Sequence, residues 1–190
     1  MRTPVRGNDG MVEQYWTLAR AQPMASAAIA VAVIGLATIA GFFFFQYVLG
    51  YPPCPLCLEQ RYAFYFAVPL AAMILLGLSV GSSRKVLMAA LLAIAAAMLW
   101  NAGLGAYHSG VEWHWWTGPR DCSGAVPNFS AGGSLIEQMQ RARVIRCDEA
   151  PWRFLGLSLA GYNVLISLAL AAIAAWGALA KHTIKRHHPG

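Results

Sequence analysis

The sequence predicts an all-α membrane protein, a bundle of four transmembrane helices with two outward-facing loops that carry the cysteines. Of its 190 residues, 58% are hydrophobic and 12% are charged, a balance that soluble domains of this length rarely show. The apolar residues are concentrated in four charge-free runs, which cover residues 24–49, 62–80, 86–107 and 154–180. Each run reaches the roughly 20 residues that a helix needs to cross about 30 Å of hydrocarbon. Buried helices of a large soluble core would need a polar outer layer, which this chain lacks.

The first run, residues 24–49, contains 26 uncharged residues. It is longer than the apolar region of a cleaved signal peptide, so we expect it to remain as a membrane helix. Pro52 and Pro53 follow it; they lack backbone donors and disfavour helix in the residues before them. We therefore expect this helix to end near Leu49 or Gly50, and residues 50–61 to form a short loop.

Basic residues predict which segments face the cytoplasm. Residues 1–23, the turn with Arg84 and Lys85, and residues 181–190 carry net charges of +1, +2 and +3, which account for the whole net charge of +6. The two remaining loops are neutral. The positive-inside rule therefore puts both termini and this turn in the cytoplasm and the two neutral loops outside. The basic residues form no stripe with interleaved aromatics, so we expect no nucleic-acid partner.

The second outward loop, residues 108–153, is the longest polar segment. It opens with three tryptophans that suit the level of the lipid headgroups, Trp113, Trp115 and Trp116. Further on, Ser134 to Glu137 resembles a capping box, and the apolar residues of 134–142 fall near one face. This segment is either a short amphipathic helix lying on the membrane or an irregular loop.

All four cysteines lie in the two outward loops, Cys54 and Cys57 in the first and Cys122 and Cys147 in the second. An even number of cysteines confined to the oxidising side indicates disulfide chemistry. A disulfide between Cys122 and Cys147 would close a loop of about 25 residues and stabilise the fold by roughly 3–4 kcal/mol if it were only structural. Three arginines near Cys147 favour a thiolate, which would instead make this pair a good exchange partner.

Cys54-Pro55-Leu56-Cys57 is the motif with the most chemical content. If a helix begins here, Cys54 is near its N-cap and Pro55 occupies the first helical position. The free N–H groups and the helix dipole would then stabilise a thiolate. Arg61 lies four residues after Cys57 and seven after Cys54, so it shares their face of the helix. It either snorkels to lipid headgroups or supplies a fixed cation beside the thiols.

Residues Pro53 to Arg61 resemble the signature of the disulfide-bond formation protein B (DsbB) family. The layout of four helices, with a CxxC in the first outward loop and two separated cysteines in the second, is similar to that family. Tyr107 to Trp113, Cys147-Asp148 and Phe154 to Leu157 add to the resemblance, which spans residues 24–180.

The resemblance implies a bacterial inner-membrane enzyme that reoxidises a DsbA-like thioredoxin-fold dithiol oxidase of the periplasm and passes two electrons to membrane quinone, ubiquinone or menaquinone. It implies that Cys122 forms the mixed disulfide with the partner, that Cys147 then attacks Cys54, and that Cys57 is the thiolate beside the quinone ring. Arg61 would polarise a quinone oxygen. His108 occupies roughly the place of a family histidine of the quinone site, and His114 is a competing candidate.

Two other functions remain open from the residues. Four thiolates could bind zinc in a membrane transporter or metallochaperone, although no carboxylate or histidine lies at a mid-membrane position for ion passage, and we expect no metal at the site. Alternatively, the disulfides only brace the loops of a structural protein. Polar residues within the runs either face a pocket or hydrogen-bond between helices; these are Gln46, Asn101, Ser158 and Asn163.

Overall fold

Four long helices make up most of the structure, a computed structural model that describes residues 22–119 and 147–180. They are α1 (Pro23–Phe43), α2 (Pro55–Ser79), α3 (Arg84–Glu112) and α4 (Leu159–Leu179). A π-helical turn, Phe44–Val48, continues α1. Each of the four helices is long and apolar enough to cross a membrane, which confirms the predicted four-helix membrane protein.

Several sequence predictions fall outside the described residues. They concern the N-terminal tail up to residue 21, Cys122, the segment 134–142 and the C-terminal tail from residue 181. These predictions therefore stay as predictions.

The helix ends differ from the ends of the charge-free runs. Helix α2 begins at Pro55, seven residues before its run, and so includes Arg61. Helix α3 continues past residue 107 to Glu112. Helix α4 begins only at Leu159, because the start of its run forms a small antiparallel hairpin of β1 (Arg153–Phe154) and β2 (Leu157–Ser158). At α2 and α3 the runs stopped short because charged and polar side chains can lie inside a helix. At α4 the run began too early because uncharged residues of 154–158 form strands instead of helix.

The helices form a closed ring in which each contacts its neighbours. Helix α1 packs against α2 and α4, and α3 packs against α2 and α4, while α1 and α3 barely touch. The core lies along this ring and consists of apolar side chains such as Phe64, Ile74 and Leu91. Small residues allow the close approach of α1 and α4: a Cβ placed on Gly177 would collide with the Cβ of Ala27. Such small-residue contacts are typical of membrane helices.

Candidate active site

The CxxC motif lies at the N-terminus of α2, so residues 55–61, which the sequence placed in the first outward loop, are helical. Cys54 is the N-cap in extended conformation, and its sulfur accepts a hydrogen bond from the backbone N–H of Cys57 at 3.2 Å. Pro55 takes the first helical position, where its missing N–H leaves no intrahelical bond unmade. Both cysteines therefore lie at the positive end of the helix dipole.

Cys54 and Cys57 are free thiols in this structure. The Cys54 side chain is buried, and Cys57 is partly exposed. The side-chain hydrogen bond to Cys57, followed by burial, raises the pKa of Cys54 well above its usual range. Cys54 therefore favours the protonated thiol in the dithiol state.

Cys147 lies next to this pair. It is disulfide-bonded, and its bonding partner lies outside the described residues. Its side chain is buried in a small cluster with Cys54, Leu56 and Val111, against which Cys57 also packs. One sulfur of the second loop therefore lies in the same apolar cluster as the first cysteine pair.

Arg61 is buried rather than extended toward the membrane surface, with 7% of its surface exposed. Its Nη1 donates to Oε1 of Gln46 at 2.7 Å, and its guanidinium lies over the rings of Phe42 and Phe43, 5.3 and 5.9 Å from their centroids. These partners come from the end of α1 and its π-helical turn, an irregularity that often marks functional sites. The Nε atom of Arg61 is buried and has no hydrogen-bond partner in the described part of the chain. The side chain is thus held in place with one donor unused.

His108, near the end of α3, points at the cysteine pair. Its Nε2 lies 3.6 Å from the sulfur of Cys54, and its Nδ1 lies 2.8 Å from Nε2 of Gln60. Glu112, one helical turn later, brings a carboxylate oxygen to 3.8 Å from Nε2 of His108. The ring of the competing candidate, His114, is within hydrogen-bonding distance of the carbonyl of Val111, and His114 borders other cavities than the one beside the cysteine pair.

A buried polar network extends from His108 into the bundle. Gln60 accepts from Asn163 at 2.6 Å, and Asn101 donates to Ser167 at 2.9 Å and to Asn163 at 3.4 Å. Both suggested roles of the intramembrane polar residues therefore occur, because Asn163 links helices and also lines the cavity beside the cysteines. Sequence reasoning missed Gln60 and Glu112. The only indication in the sequence was their spacing: Gln60 lies one helical turn after Cys57, and Glu112 lies one helical turn after His108.

A cavity opens beside the cysteine pair. Its polar wall consists of the two thiols, His108, Arg61, Gln46, Gln60, Asn163, Glu112 and Glu149, and its apolar wall includes Phe42, Phe45, Tyr51 and Leu159. An aromatic wall with a buried cation that has an unused N–H suits a flat, apolar ring bearing carbonyl acceptors. The residues present therefore fit a quinone.

The same thiols could also bind a metal. The sulfurs of Cys54 and Cys57 and a ring nitrogen of His108 lie within 4.8 Å of one another, a ligand set that zinc accepts. This ligand set differs from the four-cysteine zinc site considered from the sequence, because Cys147 is disulfide-bonded and so offers no thiolate.

Comparison with known proteins gives one consistent result. The family model described as "Disulfide bond formation protein DsbB" matches residues 24–177. A disulfide bond formation protein B from Albidiferax ferrireducens is 34% identical over 156 residues, covering 73% of this chain and 84% of the relative. Those of Psychrobacter sp. and Polaromonas sp. are 31% and 28% identical and cover 78% and 75% of this chain, with 88% and 84% of the relatives.

No solved structure matches the chain. The family model covers almost all of the four-helix bundle and the cysteine-bearing segments, including those that hold the free thiol pair and Cys147. A role as an oxidoreductase of disulfide bond formation follows from these matches together with the four membrane-spanning helices. The chain belongs to the disulfide bond formation protein DsbB family.

Proposed function

We propose that this protein reoxidises a periplasmic, thioredoxin-fold dithiol oxidase similar to DsbA and passes two electrons to a membrane quinone. The observation that carries the proposal is the position of the free Cys54–Cys57 pair, which lies between the disulfide-bonded Cys147 and the buried Arg61. Electron transfer from thiols to quinone requires a disulfide that can exchange with the thiol pair. It also requires a site beside that pair that can bind and orient the quinone ring.

The thiol steps are exchanges in which one disulfide forms as another breaks. A thiolate of the reduced partner attacks Cys122 in the disulfide of the second loop, which forms a mixed disulfide and releases Cys147. The second thiol of the partner then attacks this mixed disulfide, so that the partner leaves oxidised and Cys122 is left as a thiol. Cys147, now a thiolate, attacks the sulfur of Cys54 in the oxidised first pair. The Cys54–Cys57 bond breaks, and Cys57 leaves as a thiolate.

Completion of the exchange restores the disulfide of the second loop. Cys122 attacks Cys147, so that their bond forms again and Cys54 is released as a thiolate. The first pair is then fully reduced, and the bond of Cys147 is restored. Burial of Cys54 and Cys147 in one apolar cluster supports a direct transfer between them.

Quinone, when bound, supplies an acceptor for two electrons and two protons, so that the dithiol returns to a disulfide as quinol forms. The residues that would hold it are Cys57, Arg61 and the aromatic side chains of the cavity, with His108 at its edge. Arg61 contributes a permanent positive charge in a place where little water screens it. Gln46 fixes the direction of the guanidinium through its hydrogen bond to Nη1.

The proposal includes the orientation of the chain in the bacterial inner membrane. The basic segments at both termini and at Arg84–Lys85 lie in the cytoplasm, and the cysteine-bearing loops face the periplasm. A single cysteine placed at the Arg84–Lys85 turn of a cysteine-free variant tests this orientation. An impermeant thiol reagent added to intact spheroplasts should leave that cysteine unlabelled.

The reaction is tested by mixing purified protein and quinone with a reduced thioredoxin-fold oxidase and following quinone absorbance. We expect rapid quinone reduction, and loss of at least a hundredfold in rate for Cys57→Ser and for Cys122→Ser. Thr38→Val is the control, since the Thr38 hydroxyl donates to the backbone carbonyl of Ile34 in its own helix. Unchanged rates in both cysteine variants would refute the proposed roles. Stoichiometric zinc on the reduced protein, with no quinone reduction, would instead favour a metal site at Cys54, Cys57 and His108.

A further inference from the structure

Three buried side chains form a continuous hydrogen-bonded path that ends at the sulfur of Cys54. Asn163 of α4 donates to Oε1 of Gln60 of α2 at 2.6 Å, Nε2 of Gln60 lies 2.8 Å from Nδ1 of His108 of α3, and Nε2 of His108 lies 3.6 Å from Cys54. Asn163, Gln60 and His108 are each at most 4% exposed. Polar groups within a membrane are costly unless paired, so three of them in a row require an explanation.

The path has a direction. The oxygen of the Gln60 amide accepts from Asn163, so its NH₂ group faces Nδ1 of His108. Nδ1 must therefore accept, and a neutral imidazole then carries its proton on Nε2. The neighbours of Nε2 agree with this assignment, because the sulfur of Cys54 and the carboxylate of Glu112 are both acceptors.

The path continues beyond Asn163 to Asn101, whose Oδ1 is buried without a partner in the described residues. Nδ2 of Asn101 lies 3.4 Å from Oδ1 of Asn163 and 2.9 Å from the hydroxyl of Ser167. The Asn163 amide is therefore oriented with its oxygen toward Asn101 and its nitrogen toward Gln60. Rotation of the Gln60 amide would place its NH₂ group against the NH₂ group of Asn163.

We propose that Gln60 is a positioning residue that holds His108 as the Nε2–H tautomer, so that this N–H donates to the sulfur of Cys54 and stabilises negative charge there. The role in turnover rests on the proposed function. When Cys122 attacks Cys147, the Cys122–Cys147 bond forms, the Cys147–Cys54 bond breaks, and the electron pair remains on Cys54. A thiol that is stabilised as a thiolate leaves faster. His108 supplies a hydrogen bond in this step and gives up no proton.

Other charged groups also face Cys54. Cys57 shares its helix end, and Arg61, Glu112 and Glu149 line the same cavity. When Cys54 leaves, Cys57 already carries the negative charge of the earlier step, so a second thiolate forms beside the first. The Nε2–H of His108 faces the sulfur of Cys54, with the Glu112 carboxylate and the backbone of Cys147 also beside the ring. A hydrogen bond from this N–H to Cys54 offsets the repulsion between the two thiolates.

The tautomer can be measured directly on the wild-type protein. Nitrogen-15 NMR of the histidine-labelled, reduced protein in detergent, with His108→Gln used to identify the signal, should show His108 neutral with its proton on Nε2 and Nδ1 accepting a hydrogen bond. A proton on Nδ1 would overturn the proposal. The measurement needs no quinone and no partner protein, so its failure is distinguishable from failure of the proposed function.

The effect on Cys54 is measured by alkylation as a function of pH in a Cys57→Ser background, where Cys54 has lost its thiol neighbour. We expect His108→Leu to raise the pKa of Cys54 by about one unit and to slow alkylation at neutral pH about tenfold. Gln60→Met should slow the alkylation of Cys54 by less than this tenfold factor. The control Thr38→Val should leave the alkylation rate unchanged.

The combination of the two changes separates positioning from mere packing. In the His108→Leu background, Gln60→Met should have no further effect on the pH profile of Cys54. An equal effect of Gln60→Met with and without His108, or no effect in either background, would contradict the proposal. If Gln60→Met proves unstable by thermal unfolding, the wild-type NMR result decides alone.

Discussion

The guanidinium of Arg61 donates from Nη1 to the amide oxygen of Gln46 at 2.7 Å, joining the first turns of α2 to the π-helical turn after α1. This contact fixes which N–H groups of Arg61 point elsewhere, and its buried Nε has no partner in the described residues. A planar guanidinium held in one orientation with an unused N–H differs from a flexible lysine ammonium, because it recognises an acceptor by direction as well as by charge.

Replacing Arg61 with lysine should therefore weaken quinone binding although the charge is kept. We expect the KM for quinone to rise about tenfold, because one hydrogen bond from a charged donor is lost. The rise should be larger for Arg61→Leu, which also loses the charge. Steady-state quinone reduction at a saturating concentration of the dithiol partner measures this. Arg84→Lys, at the opposite end of the bundle where Arg84 donates to the carbonyl of Ala180, is the matched control. An equal KM for wild type and Arg61→Lys would exclude directional recognition by Arg61.

The contact between Asn101 and Ser167 should stabilise the bundle by a modest amount. Both side chains are fully buried and their atoms lie 2.9 Å apart. A double-mutant cycle of Asn101→Leu and Ser167→Ala, followed by unfolding in mixed micelles, should give a coupling free energy of about 0.6 kcal/mol, the average for such pairs in membranes. Additive single effects would show that the hydrogen bond does not contribute to stability.

The close contact of α1 and α4 predicts sharply different outcomes at two glycines. Gly177→Val would force a side chain into Ala27, and overpacking of this kind costs about 1–3 kcal/mol in the free energy of unfolding. A Cβ on Gly103 would meet no atom within 4 Å, so Gly103→Ala should leave stability unchanged or raise it slightly. Thermal unfolding of both variants in the same detergent provides the comparison, and an unaffected Gly177→Val protein would contradict the packing described.

The titration of Cys54 gives a prediction on pH dependence. Its raised pKa means that folding favours the protonated thiol. The stability that this provides is present below the ordinary thiol pKa of about 8.5 and is lost as the pH rises above that value. Site-resolved alkylation of the reduced protein should accordingly show Cys54 reacting more slowly than an unperturbed thiol at the same pH.

Cys57→Ser removes the largest cause of this shift, the side-chain hydrogen bond to Cys57. Alkylation of Cys54 at the same pH should then become faster, as read by mass spectrometry of the modified peptide. Equal rates at Cys54 in the two proteins would show that Cys57 does not control its protonation.

The fold was predictable because its signals are local. Uninterrupted apolar runs indicate membrane helices, and Pro55 after Cys54 marks a helix start that depends only on neighbouring residues. The placement of Arg61 on the cysteine face follows from helix periodicity. The ends of the charge-free runs were poorer guides, since Glu59, Gln60 and Arg61 are polar yet helical, and the last two are buried by neighbouring helices.

The partners of the site residues depend on how three helices cross. Gln60 lies in the cysteine motif, but only the packing of α2 against α3 and α4 places it between His108 and Asn163. Glu112 is one turn from His108 in the sequence, yet its other partners, Arg153 and Ser158, come from the hairpin before α4. No spacing rule in a single helix contains this information.

The most direct test of the account concerns transfer between the two cysteine pairs. In a Cys57→Ser, Cys122→Ser protein only Cys54 and Cys147 remain, and both are buried in the same cluster. After mild oxidation, peptide mapping without reductant should find a Cys54–Cys147 disulfide in most molecules, and much less of a Cys57–Cys147 disulfide in the matched Cys54→Ser, Cys122→Ser protein. If Cys54 and Cys147 remain free thiols under conditions that oxidise a control dithiol, the two pairs do not exchange and the proposed electron route is wrong.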